Sequence, residues 1–131
     1  MKIYQINTER DHTGVRYQEY SRARIRRIEP SAYDLVYEGA LRGLDDTVDL
    51  DNATVVSWAL EVVFINLNLL SFRPEGFRGR SLSVSDVIVL TGTDGRSAAY
   101  YVDREGFREM CFDEKRANSA RGEAVGWQNP L

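Results

Sequence analysis

From Ala53 to Phe72 the chain carries a single charged residue, Glu61, and this stretch constrains everything around it. Its longest uncharged run, Val62–Phe72, falls well short of the about 18 residues a membrane span needs, and Asn66 and Asn68 add polar cost. The segment therefore reads as a buried helix from about Ala53 to Asn68. On such a helix Thr54, Ser57, Glu61 and Asn68 stack into one narrow polar stripe, and nearly everything else is apolar. A helix with so thin a polar face is covered on most sides, by its own domain or by a partner. Trp58, Phe64 and Ile65 are accordingly candidate partner-binding residues.

A chain of 131 residues fits one domain. Hydrophobic residues at 43% and charged residues at 28% are ordinary globular proportions, so a real core is expected. Lys2–Asn7 alternates and reads as a first strand. Val15–Ile28 reads as a second, with Arg22, Arg24 and Arg26 on one face. Pro30-Ser31 precedes a short helix over Tyr33–Tyr37, capped by Ser31 and stopped at Gly39. An acidic connection, Leu41–Asn52, leads into the main helix. Val84–Leu90 and Ser97–Val102, joined by the GTDG turn, form the clearest hairpin, and Phe107–Phe112 makes a last strand. The expected fold is α+β: an antiparallel sheet of four to five strands packed against one main and one short helix. It occupies residues 1–112, and the polar, aperiodic segment 113–131 is expected to be a disordered tail.

Four blocks, MKIYQIN (Met1–Asn7), SAYDLVYEG (Ser31–Gly39), RPEGFRGRSLSVSDV (Arg73–Val87) and YYVDREGF (Tyr100–Phe107), resemble the YodL-like domain family. Such domains occur in Gram-positive bacteria and in conjugative elements, often fused within larger proteins. The resemblance implies a small accessory domain with no established catalytic residues to carry over. Between Leu50 and Phe72 this chain is longer and more apolar than the short, charged helix of the family pattern.

The residues offer little conventional chemistry. His12 is the only histidine and sits in a polar turn, so no histidine-based metal site can be assembled. Cys111 is the only cysteine; its neighbours Met110 and Phe112 suggest a small buried core residue, and no internal disulfide is possible. Ser81, Ser83, Ser85 and Asp86 form a dense hydroxyl cluster without a base or a nucleophile elbow, and bonding to their own backbone in turns is the expectation. Asp94, Asp103 and Glu105 read as turn residues. Asp45, Asp46, Asp49 and Asp51 lack the glycine and the bidentate glutamate of a calcium loop. No catalytic residue, metal or cofactor is expected. Neither a secretory leader nor a span is read, which points to the reducing cytosol.

Charge is unevenly placed within the net −3. The first 30 residues carry an excess of arginine, whereas residues 31–71 are strongly acidic. An acidic chain is not a general nucleic-acid binder. The arginines Arg22, Arg24, Arg26 and Arg27 are nevertheless candidates for a phosphate or acidic-partner contact. Pairing with the acidic segment and protection of a strand edge compete with that reading. The leading expectation is a non-enzymatic protein-interaction or regulatory module, with a homodimer or a host protein as partner. The alternative is a nucleic-acid-associated factor using the arginine face.

Overall fold

A computed structural model describes residues 1–118. Its centre is one antiparallel sheet of five strands in the order β2-β1-β3-β4-β5. The strands are β1 (Lys2–Ile6), β2 (Tyr33–Glu38), β3 (Val87–Thr91), β4 (Ser97–Val102) and β5 (Phe107–Met110). Two α-helices accompany them, α1 (Tyr20–Arg26) and α2 (Ala53–Asn68). The α+β class and the antiparallel sheet agree with the expectation.

Alternation along the strands divides the core into two layers. On one face Ile3, Ile88, Leu90 and Tyr100 pack against Val56, Leu60, Val63 and Leu67 of α2. On the other face Tyr4, Val87, Val89 and Tyr101 pack against Val15, Ala23 and Tyr33. Strand β3 (VIVLT) is therefore apolar on both faces, as a strand covered on both sides requires. Helix α2 begins where Asn52 accepts hydrogen bonds from the backbone N–H groups of Thr54 and Val55, at 3.1 and 3.2 Å.

Two elements exchange identity relative to the sequence reading. Val15–Ile28 forms no strand; a turn leads into α1. The Arg-x-Arg alternation imitates a strand period, but arginine and alanine are good helix formers, and only one helical position, Ala23, is buried. Ile25 stays 79% exposed, so no apolar strand face exists there. Conversely, Tyr33–Tyr37 is not a helix but lies within β2. Its tyrosine, leucine and valine side chains suit a pleated, half-buried surface, and the 3₁₀ turn Pro30–Ala32 delivers the chain into it. The one short helix is thus α1, and β2 supplies the fifth strand.

Boundaries shift as well. β3 starts at Val87 rather than Val84, because Ser85 takes φ +89°, which no strand residue adopts. β5 ends at Met110. Beyond it Phe112 turns inward onto the rings of Tyr4 and Tyr33, at 5.0 and 5.2 Å, whereas Cys111 faces outward and is exposed, not buried. The expected tail begins with ordered residues: Glu114–Arg116 make a 3₁₀ turn, and Asn118 pairs with β2. The rest of that expectation, 119–131, lies outside the described residues.

Candidate functional site

Three separate segments meet at the end of β1. The first is β1 itself, through Gln5, whose side chain is buried. Its Nε2 donates to the Arg80 carbonyl at 2.9 Å and to Asp86 Oδ2 at 3.0 Å, and its Oε1 accepts from the Arg80 N–H at 3.0 Å. This one amide fastens the 78–86 segment to the sheet. The second segment is that loop. Asp86 is fully buried, accepts from the Ser83 N–H at 2.8 Å, and has Arg80 Nη2 3.5 Å away. Burial pushes its carboxyl up to about 7, against the hydrogen bonds and nearby arginines that favour the charged form. The third segment is Asp11–Tyr17, in which the Asp11 carboxylate accepts from the Val15 and Arg16 N–H groups at 3.0 and 3.1 Å.

The hydroxyl cluster holds these segments together. Ser85 donates its N–H to the Val102 carbonyl at 2.9 Å, and its Oγ accepts from the Tyr17 N–H at 3.0 Å. Its carbonyl accepts from the buried Tyr33 hydroxyl at 2.7 Å. Positive φ at a serine costs about 1–2 kcal/mol, and these three bonds fix it. Asp86 and Ser83 bond the backbone of their own loop, the Ser83 hydroxyl donating to the Ser81 carbonyl at 3.2 Å. The Ser81 hydroxyl instead accepts from Arg73 Nη2 at 2.7 Å, and that of Ser85 reaches a distant segment rather than its own turn.

The result is an open cleft of about 730 Å³ lined by Arg16, Arg78 and Arg80, with Glu9 and Asp34 also on its walls. Asp34 is occupied: it is ion-paired with Arg10 and accepts from Asn7 and Asn118 at 3.2 and 3.1 Å. Gly79, between two of the arginines, fits only because it lacks a side chain. A Cβ there would lie 2.2 Å from Gln5 Oε1 and 2.9 Å from Val36 Cγ2.

The arginines singled out from sequence are elsewhere. Arg22, Arg24 and Arg26 belong to α1, where successive residues turn by about 100°, so Arg22 and Arg26 share a side and Arg24 faces away. All are exposed, as is Arg27, which lies 3.6 Å from Glu29. They do not form one strand face. On α2, Phe64 is half-buried with its ring 6.5 Å from that of Phe107. Trp58 and Ile65 remain 54% and 48% exposed, as do Leu69 and Phe72 just beyond the helix, at 48% and 40%. Thr54, Ser57 and Glu61 share this outer face.

Sequence reasoning passed over Arg16, Arg78 and Arg80. The available signal was the RGR (Arg78-Gly79-Arg80) of the RPEGFRGRSLSVSDV block, where a glycine between arginines marks a close backbone approach.

The fold and its cleft define a small α+β domain whose most distinctive sequence block builds one arginine-lined site. The family model for the YodL-like domain matches residues 1–112, and the chain belongs to that family. No curated protein and no solved structure matches it. Among the described residues, no helix is long and apolar enough to cross a membrane.

Proposed function

We propose that this YodL-like domain is a non-enzymatic protein-interaction or regulatory accessory module that works in the cytoplasm. The observation that carries this reading is the outer face of α2. Trp58 and Ile65 on α2, and Leu69 and Phe72 just beyond its end, are exposed, at 54%, 48%, 48% and 40%. Several large apolar side chains exposed near one another on a small domain favour a contact site. Tryptophan is also among the residues that most often dominate binding energy at interfaces. A hollow of about 360 Å³, lined by Leu60, Tyr100 and Phe107 among others, opens beside the same helix. The partner is a protein, either a second copy or a host protein. A link to mobile genetic elements rests on the family resemblance alone.

The test is a Trp58→Ser/Ile65→Ser double variant whose fold is verified by circular dichroism. Sedimentation at micromolar concentration reads self-association, and affinity capture from the native host with mass spectrometry reads a host partner. The expected result is an association that the wild type shows and the double variant loses. A wild-type monomer that captures no protein in a Trp58-dependent way overturns the reading.

A further inference from the structure

The turn between β4 and β5 fixes which backbone groups of β5 are free. The Asp103 N–H donates to the Gly106 carbonyl at 3.0 Å, so that pair is hydrogen-bonded, and bonded pairs alternate along an antiparallel ladder. Val102 stands opposite Phe107 and Tyr101 opposite Arg108. The backbone groups of Arg108 and Met110 therefore bond to β4, whereas those of Phe107 and Glu109 point away from the sheet. Among the described residues no strand lies beyond β5 to receive them.

The side chains of these same two residues border the hollow of about 360 Å³ on the α2 side of the sheet. Leu60, Tyr100 and Phe107 give it apolar walls, and Asp51, Glu61 and Glu109 give it three carboxylates. No lysine or arginine lines it. Asp51 is paired with Arg96 at 2.9 Å, but Glu61 and Glu109, both exposed, have no ion-pair partner among the described residues.

A second copy suits this border poorly. Two-fold antiparallel pairing keeps each face of the sheet on its own side, so a residue meets only itself or a residue an even number of positions away. The two registers that overlap most of β5 set Arg108 opposite its own copy, or Glu109 opposite its own copy. Like charges directly opposite are destabilising.

We propose that β5 takes an extended strand from a different protein, with a basic side chain of that strand seated in the acidic hollow. Main-chain bonds to Phe107 and Glu109 provide the pairing, and the hollow provides the specificity, as in strand addition generally. In antiparallel pairing the incoming residue opposite Glu109 points to the α2 side. A lysine there lays its methylene stem along Phe107 and Tyr100 and brings its ammonium to the carboxylates of Glu61 and Glu109. The inference deepens the reading of the domain as an interaction module but uses neither Trp58 nor Ile65, so the two fail separately.

The probe is a short capped peptide of threonine and valine with one central lysine, titrated into the isotopically labelled full chain and followed by amide chemical shifts. Saturable shifts centred on Phe107 and Glu109 are expected. Glu109→Lys should weaken binding about fivefold or more, since it reverses one exposed ion pair. Glu61→Gln should weaken it about twofold or more. Glu105→Gln, in the adjoining turn, and the Trp58→Ser/Ile65→Ser double variant should leave it unchanged. N-methylation of the peptide edge that faces β5 should abolish the shifts. A peptide with glutamate in place of the lysine that binds equally well overturns the proposal. Binding that survives N-methylation, or shifts centred away from β5, overturns it too. Shifts of the β5 amides on raising the protein concentration alone would place a second copy there and also overturn it. The peptide comparisons use the wild type alone, so they decide even if a variant misfolds.

Discussion

Gly79 and Gln5 are in such close contact that the backbone of one and the side-chain amide of the other occupy a shared space with no room for a methyl group. The missing Cβ would fall 2.2 Å from Gln5 Oε1, which itself accepts from the Arg80 N–H. Gly79→Ala must therefore displace either the loop or the amide. Overpacking of this kind costs about 1–3 kcal/mol, and urea denaturation should show that loss. An unchanged midpoint would mean that the loop retreats freely.

Asp86 gives the fold a pH dependence of unusual sign for a carboxylate. In the folded chain its proton is held up to about pH 7, against an ordinary value of 3.8 in the unfolded chain. The native state therefore binds more protons than the unfolded state between these values. The stability contributed by this group is complete below the unfolded value and is lost as pH rises through about 7. Relative to Asp86→Asn, the wild type should gain stability as pH falls from 8 to 5. Paired denaturation curves check this, and a wild type that instead gains toward pH 8 would show an ionised, well-paired carboxylate.

Tyr33→Phe isolates the bond that holds Ser85. Removing the hydroxyl leaves the Ser85 carbonyl without its 2.7 Å donor in a fully buried setting. The expected cost is about 1–3 kcal/mol by chemical denaturation, with the sheet intact by circular dichroism. A neutral outcome would mean that the other two bonds to Ser85 suffice.

Asn52→Ala removes the cap from which α2 starts. Two N–H groups lose their acceptor at once, and a loss of about 0.5–2 kcal/mol is expected in thermal or urea unfolding. A loss of that size with unchanged helical signal would place the effect at the first turn.

The hairpin of β3 and β4 and the helix α2 were legible because local and global signals agree there. Val87–Thr91 is a β-branched run followed by a turn-forming GTDG, and Ala53–Asn68 is too long and apolar for a strand. Segments 15–28 and 33–38 misled for one reason: short stretches satisfy both periods, and tertiary burial decides. Ala23 is buried by helix packing against the sheet, and Tyr33 by pairing with Ile6, neither of which adjacent residues reveal. The cleft was illegible for a different reason. Gln5, Arg16 and Arg80 are far apart in the chain, and only the folded sheet brings them together. Cys111 was misplaced because its neighbours Met110 and Phe112 pack onto the core while Cys111 itself, just past the end of β5, is exposed.

The two borders of the sheet are not alike. Along β2 the outer backbone groups are occupied: the Tyr33 carbonyl accepts from Asn118, Leu35 donates to the Asn118 carbonyl, and the Val36 carbonyl accepts from Arg78. Among the described residues β5 has a neighbour only in β4. Among the described residues the sheet thus has one covered border, along β2, and one border, along β5, that no further strand covers. Runaway fibre growth through strand pairing needs two open borders on every copy. On the described residues, a strand-to-strand meeting of two copies would have only β5 to offer, and a β5-to-β5 pair would use up both borders and stop there.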